Sequence, residues 1–453
     1  MCSDRFSEVE QCLTNEEALK EAERCLNCKN KPCVAGCPVG VMIPEFISEI
    51  KLGNIKKAYE KIIENNCFPS ICGRVCPQEK QCQANCVRGK KENPVLIGKL
   101  ERYVADTYRN LRSDINNSCK NISTKDEENV KKVAVIGAGP SGLACAGELA
   151  KAGIKVTVFE ALHEPGGVLL YGIPKFRLPK DVVRDEINKI KSLGVEIRTN
   201  MVMGKILSVD DLFCQGFNAV YLSTGAGLPK FMNIEGESLC GVYSANEFLT
   251  RVNLMQAYKD EYDTPINEHK NVIVVGGGNV AMDAARTAKR LGAENVYLVY
   301  RRSEDEMPAR LEEIAHAKNE GVIFKLLTNP VRFLGDENGK IIGAECVKIQ
   351  LCDSDNTGRK RPVEREGSNF IIDADCAIIA IGNMPNPIIT MDSNDIIVDK
   401  KGCVIVSDNL STSKENVYAG GDLVTGAATV IMAMGMGRKA AESIIKSLNN
   451  KIH

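Results

Sequence analysis

Two glycine-rich loops, beginning 139 residues apart, do most to restrict the folds open to this chain. The first, Gly137-Ala138-Gly139-Pro140-Ser141-Gly142, lies between the apolar run VAVI and the helical pattern LACAGELAKAG. The second, Gly276-Gly277-Gly278-Asn279-Val280-Ala281, follows the run NVIVV. Glycines at this spacing permit a tight strand-to-helix turn, close approach of backbone to a pyrophosphate, and close helix packing. The helix N-terminus meanwhile presents N–H groups to the phosphates. One such loop alone is weak evidence, because an ordinary tight turn can look the same. Two copies, each after a buried-strand run, predict two nucleotide-binding βαβ units with parallel sheets.

The loops differ where the next strand ends. After the first, Glu160 stands 18 residues beyond Gly142, where a carboxylate can accept hydrogen bonds from a ribose diol. After the second comes Tyr300-Arg301-Arg302-Ser303. An acid there would repel a 2′-phosphate, whereas Arg301 and Arg302 would bind one with forked hydrogen bonds. NADP(H) is therefore expected at the second loop and a flavin at the first. A third signal, NVYAGGDLVTGAATVIMAMGMGRKAA at 416–441, is a strand ending at Gly420-Gly421-Asp422, then a helix start rich in small residues. Asp422 is placed to accept from a ribityl hydroxyl, and the N–H groups near Thr429 and Val430 to face a flavin ring.

At 453 residues the chain can hold about three domains. Its 58 Lys and Arg against 59 Asp and Glu leave a formal net charge of -1, so nucleic acid and anionic membranes are poor default partners. No apolar run approaches the roughly 20 residues that span a bilayer, and MCSDRFSEVEQC has no apolar signal core, so a cytoplasmic protein is expected. Cysteine is concentrated, with 12 of the 19 in residues 1–119. Disulfides go with small exported domains, so thiols gathered this way in a long chain point to metal ligation. A Cys2 nucleophile of the glutamine amidotransferase kind would need a domain for which residues 3–24 leave no room. The 4 histidines have neither triad nor metal spacing.

The cysteine runs are Cys25-x2-Cys28-x4-Cys33-x3-Cys37-Pro38 and Cys72-x3-Cys76-Pro77-x4-Cys82-x3-Cys86. Short spacings closed by Cys-Pro resemble the ferredoxin pattern, in which the last Cys of one run often ligates the other cluster. Structural zinc shares the C-x2-C spacing, but zinc has no redox chemistry and a flavin needs a one-electron acceptor. Around these runs, residues 1–111 read as short helices, one opened by a Thr14/Glu17 capping box. Residues 113–128 read as a polar linker.

The motifs of residues 131–445 are similar to those of the two-dinucleotide-binding flavoproteins that include thioredoxin reductase and adrenodoxin reductase. That resemblance implies an NADPH domain inserted within an FAD domain, with crossovers near Ser223-Thr224-Gly225 and Gly382-Asn383. A thioredoxin-type dithiol is not expected, because Cys240, Cys346, Cys352 and Cys376 show no C-x-x-C spacing. The runs CLNCKNKPCVAGCPVGV, ICGRVCPQEKQCQANCVRGKKENPVLIGKLERYVAD, GAGPSGLACAGELA, GGVLLYGIPKFRLPK and AGGDLVTGAATV extend the likeness to nearly the whole chain. They resemble the small (beta) subunit of NADPH-dependent glutamate synthase. They are equally similar to the large subunit of NADH-dependent ferredoxin:NADP oxidoreductase and to the amino-terminal half of dihydropyrimidine dehydrogenase.

The resemblance implies two [4Fe-4S] clusters, one held by Cys25, Cys28, Cys33 and Cys86, the other by Cys37, Cys76, Cys82 and a non-cysteine ligand. It implies FAD contacts at Gly167, Ile173 and Arg177, and gives Cys67 and Cys72 no role. Glu101 is the candidate for the missing ligand. It shares a helical face with Ile97, Leu100, Val104 and Tyr108, so its carboxylate should be buried and should need a cation. A buried ion pair with Lys or Arg, or ligation by Cys72, are the competing readings.

The expected fold is α/β, with two dinucleotide-binding (Rossmann-like) domains preceded by an α-helical iron–sulfur domain (1–125). The NADPH domain (241–380) is inserted in the FAD domain (126–240 and 381–453). The expected function is to pass electrons from NADPH through FAD and two [4Fe-4S] clusters to a partner, as the small subunit of glutamate synthase acting on its large subunit. In the alternative the partner is a second flavoprotein or ferredoxin chain, as in ferredoxin:NADP oxidoreductase or sulfide dehydrogenase; a homo-oligomer is compatible with either. A non-catalytic assembly subunit is disfavoured by the intact glycines, Glu160, Asp422 and cysteines.

Overall fold

The computed structural model describes residues 4–113, 130–354, 360–393 and 395–450. The expected linker, apart from Ser113, lies outside the described residues. Up to residue 113 the chain is helical. Thr14 opens the helix Asn15–Glu23: its hydroxyl accepts from Glu17 N, and the Glu17 carboxylate accepts from Thr14 N at 2.8 Å. The helix Ile97–Ser113 buries Leu100, Glu101 and Val104 on one face. It approaches Pro69–Val75 so closely that a Cβ on Gly73 would stand 2.8 Å from the Arg102 Cα. That contact fixes the second cysteine run against Glu101.

Beyond residue 130 the strands follow in chain order. β1 (Lys132–Ile136), β2 (Lys155–Phe159), β3 (Glu196–Arg198) and β4 (Ala219–Leu222) pair in parallel. The valines and isoleucine of β1 are buried throughout, as strands covered on both faces require. After β5 (Leu228–Pro229), a second parallel array uses β6 (Val242–Ser244), β7 (Asn271–Val275), β8 (Asn295–Tyr300) and β9 (Ile323–Leu326). An antiparallel group follows, made of β10 (Thr328–Gly335), β11 (Ile341–Ser354), β12 (Lys360–Glu364) and β13 (Phe370–Asp373). β14 (Cys376–Ile379) then inserts between β6 and β7, β15 (Asn383–Met384) pairs with β5, and β16 (Val417–Ala419) joins β4.

The resulting orders are β16-β4-β1-β2-β3 and β6-β14-β7-β8-β9. In both, the strand that feeds a glycine loop, β1 or β7, is the central one. The two strands that follow it in the chain lie to one side; to the other lie β4 and β16 in the first sheet and β14 and β6 in the second, and ligands of open α/β sheets bind at that switch point.

Two compact units result. One holds Met1–Ser7, Leu170–Phe176 and Gly227–Met384, hence the second sheet and the antiparallel group. The other holds Glu8–Leu169, Arg177–Ala226 and Pro385–His453, hence the helical cysteine segment and the first sheet. The crossings fall at 226–227 and 384–385, just outside the β5–β15 pair. The two short outlying segments are tied to their unit by aromatic contacts. Phe6 stacks on Tyr258 at 4.3 Å, and Phe176 is faced by the guanidinium groups of Arg286 at 4.6 Å and Arg290 at 4.3 Å. Among the described residues no helix is long and apolar enough to cross a membrane.

The long helix Val430–Asn450 lies along the helix Pro140–Lys151 of the first glycine loop. A Cβ on Gly437 would stand 2.1 Å from Ser141 O. Gly437→Ala is therefore expected to destabilise the protein by about 1–3 kcal/mol, the usual cost of overpacking. Urea unfolding should show a lower midpoint with an unchanged slope.

Candidate functional site

The first glycine loop is shaped by two different demands. A Cβ on Gly142 would lie 1.9 Å from Gly137 O, so that glycine is required by packing. Gly139, by contrast, has nothing within 4 Å of its missing Cβ, which leaves backbone open to a ligand. Pro140 begins the helix, where its lack of an N–H costs nothing. Ser141 Oγ hydrogen-bonds with Tyr221 Oη at 2.7 Å.

Surrounding residues converge on this loop. Glu160, at the end of β2, accepts from Ala138 N at 2.7 Å and Leu162 N at 2.9 Å, while burial raises its carboxyl above the ordinary range. Gly166 N donates to Ala138 O at 2.8 Å, and Gly167 abuts Gly139. Thr224, just past β4, keeps a buried Oγ1 with no hydrogen-bond partner among the described residues, and Gly225 beside it is open. Gly421 packs on Ser141. Asp422 accepts from Ala428 N at 3.3 Å, and burial pushes its carboxyl up to about 6. Thr429 Oγ1 accepts from Met432 N at 3.4 Å as Val430 begins the long helix. The orphaned hydroxyl, the open face at Gly139, the buried carboxylate of Glu160 and the half-buried one of Asp422 suit a ligand that brings hydroxyl donors and phosphates, and so fit FAD. Arg177 belongs to this same unit; Ile173 does not, because its segment Leu170–Phe176 falls in the other.

The second loop is braced from behind. Gly276 N donates to Val299 O at 3.0 Å, and Asn279 Oδ1 accepts from Arg310 N at 2.9 Å. A Cβ on Gly278 would meet only Pro308, at 3.8 Å, and Val280 is 39% exposed. The two candidate phosphate readers differ. Arg301 is exposed and has no ion pair among the described residues, whereas Arg302 Nε donates to Lys360 O at 2.9 Å and is partly committed to β12. Gly382 is exposed, and its carbonyl accepts from Lys230 N at 3.0 Å.

The cysteines separate into two groups. Cys25, Cys33 and Cys86 pack against one apolar cluster, and burial, with the neighbouring Cys25 and Cys86, pushes the Cys33 thiol up to about 11. Cys28 sits on the same loop, and the loops are joined where Arg88 Nε donates to Arg24 O at 2.8 Å. This group is half-buried. The second group is deeper. Cys37, Cys76, Cys82 and Glu101 line one cavity, with Asn66 and Ile431 also in its wall.

Glu101 is 8% exposed and has no ion pair with Lys or Arg among the described residues. Its Oε1 accepts from Asn66 Nδ2 at 2.7 Å, and burial pushes the carboxyl up to about 7. Of the competing readings, the ion pair is therefore not seen. Cys72 does not line that cavity, but its thiol lies against the Cys76 thiol and meets Asn66 Oδ1 at 3.5 Å and Met434 Sδ at 3.7 Å. Three thiols and a carboxylate, desolvated and without a cation, fit an iron–sulfur cluster. Cys67 lies outside both groups, its thiol pushed up to about 12 by burial. Asn66 and Ile431 went unnoticed in the sequence, where neither belongs to a cysteine run or a glycine loop.

Both the cysteine-bearing segment and the part of the chain with the two glycine loops match known families. Residues 131–437 match the pyridine nucleotide-disulphide oxidoreductase family, and residues 2–113 match dihydropyrimidine dehydrogenase domain II, 4Fe-4S cluster. The chain is 36% identical over 452 residues to the glutamate synthase [NADPH] small chain of Escherichia coli (strain K12), covering 98% of this chain and 94% of that one. It belongs to the glutamate synthase small-chain family. It is also 39% identical over 431 residues to the NADP(+)-dependent formate dehydrogenase subunit beta of Moorella thermoacetica, covering 91% of this chain but 59% of that relative. In fold it is similar to FprA of Mycobacterium tuberculosis, solved in complex with NADPH, with TM-score 0.60 and 19% identity over 72% of this chain and 86% of that one. The chain is thus a flavin-dependent oxidoreductase with a 4Fe-4S segment.

Glu160 offers a test that needs no cofactor. Glu160→Ala strips two backbone N–H groups of their acceptor and is expected to cost the apoprotein about 1–3 kcal/mol in a urea unfolding measurement.

Proposed function

We propose that this protein is the electron-input subunit of a glutamate synthase, taking electrons from NADPH and delivering them through FAD and two [4Fe-4S] clusters to a large-subunit partner. The observation that carries this reading is a shared helix. Val430–Asn450 begins at the candidate flavin site, and Ile431, one residue inside it, lines the cavity of Cys37, Cys76, Cys82 and Glu101.

When bound, FAD accepts a hydride and returns electrons singly to iron–sulfur groups. The side chains position and insulate. Glu160, Thr224 and the Gly137–Gly142 loop hold the adenine-nucleotide end, with Gly167, Arg177, Gly225, Gly421 and Asp422 around the remainder and Thr429 and Val430 at the ring. Gly276, Gly278, Asn279 and Val280 receive the NADPH pyrophosphate, Arg301 and Arg302 the 2′-phosphate, and Gly382 marks the return crossover. Cys25, Cys28, Cys33 and Cys86 hold the first cluster, and Cys37, Cys76, Cys82 and Glu101 the second. No side-chain acid or base is required.

The M. thermoacetica relative supports a second reading, since a longer formate dehydrogenase subunit includes the same architecture. There the electrons pass to a different redox chain, such as a second flavoprotein. The two are separated by assay: under the first reading, NADPH-dependent glutamate formation from glutamine and 2-oxoglutarate appears when a glutamate synthase large subunit is added and is absent without it. Reduction of the flavin by NADPH with no glutamate formed in the presence of that subunit favours the second reading.

Nucleotide choice gives a further prediction. A charge-assisted hydrogen bond is worth roughly 1.5–3 kcal/mol, so Arg301→Ala should raise the Kd for NADPH about tenfold or more and leave that for NADH unchanged. Arg302→Ala should have the smaller effect. Equal losses for both nucleotides in Arg301→Ala would show that Arg301 does not meet the 2′-phosphate.

A further inference from the structure

Asn66 follows the helix Ile55–Ile63 and is wholly buried, with its backbone N–H donating to Ile62 O at 2.9 Å. Both ends of its side-chain amide are used. Oδ1 accepts from Phe68 N at 3.0 Å and lies 3.5 Å from the Cys72 thiol. Nδ2 donates to Glu101 Oε1 at 2.7 Å. The orientation of the amide is settled by its neighbours: Phe68 N requires an acceptor, so the NH2 must turn toward the carboxylate.

The turn that carries Asn66 is itself held on two sides. Asn65 Nδ2 donates to Val39 O at 3.2 Å, close to Cys37 in the chain, and the Asn65 carbonyl accepts from Arg438 of the helix Val430–Asn450. Asn66 also stands in the wall of the cavity formed by Cys37, Cys76, Cys82 and Glu101.

We propose that Asn66 is a positioning residue for the second cluster, occupying Oε1 of Glu101 so that Oε2 alone is offered to iron in a fixed orientation. The inference rests on the reading of Glu101 as a ligand. Ligating carboxylates are commonly hydrogen-bonded from behind, and loss of such a partner typically costs 10–100-fold in metal affinity or activity. Here the donor is a neutral amide, which orients the carboxylate without cancelling its charge.

The test uses the full chain purified without oxygen. Asn66→Asp keeps an acceptor for Phe68 N and removes the donor to Glu101; Asn66→Ser, too short to reach Glu101, is the second variant in case the first does not fold. Glu101→Ala, which removes the ligand oxygen, is the control. Iron content, the EPR spectrum of the reduced protein and the midpoint potential of each cluster are measured. The expected result is an altered signal and shifted potential for the second cluster in the Asn66 variants, or its iron lost at least tenfold faster to a chelator, with the first cluster unchanged. If Glu101→Ala changes the second cluster while both Asn66 variants leave its signal, potential and iron retention as in the wild type, the positioning role is overturned. If Glu101→Ala itself changes nothing, the ligand reading fails and the proposal fails with it.

Discussion

Arg438 donates to the carbonyls of Glu64 and Asn65 across a sequence separation of more than 370 residues, and through it the helix Val430–Asn450 is fastened to the cysteine-bearing helices. Close packing supplements this anchor: Gly435 lies against Val39 and Pro38, and Met434 meets Cys72. On its other side the same helix presses Gly437 onto Ser141 of the first glycine loop. One rigid rod therefore touches a nucleotide loop and a thiol-lined cavity. Positioning of this kind is what the protein must supply when bound groups carry the chemistry.

The two thiol groups sit in different environments, and the difference has a physical logic. Cys76, Cys82 and Glu101 are buried, so an anion there is costly unless a cation compensates it. Cys25, Cys28, Cys33 and Cys86 are half-buried and nearer to water.

Much of this was legible because the signals are local. A strand, a glycine turn and a helix occupy consecutive residues, so the loops at 137 and 276 and the runs that became β1, β2, β7, β8 and β16 could be read directly. The Thr14/Glu17 box joins residues only three positions apart and appears as expected. The antiparallel group β10–β13 was not foreseen, since its strands mix exposed and half-buried positions without clean alternation. The attachment of residues 4–7 and Leu170–Phe176 to the unit of the second sheet was equally hidden, as it depends on Phe176 meeting two arginines more than 100 residues away. Glu101 could be inferred from helical periodicity, but its partner Asn66 could not. Residues 35 apart met only once Gly73 brought two helices together.

The most direct measurement of the central claim is X-ray diffraction at the iron absorption edge from crystals of the anaerobically purified protein. The account predicts anomalous density for two clusters, one of them within the cavity of Cys37, Cys76, Cys82 and Glu101 and against Ile431, with a flavin ring at the start of the helix Val430–Asn450. Iron confined to the Cys25, Cys28, Cys33 and Cys86 group, or zinc in place of iron at the buried cavity, would contradict it.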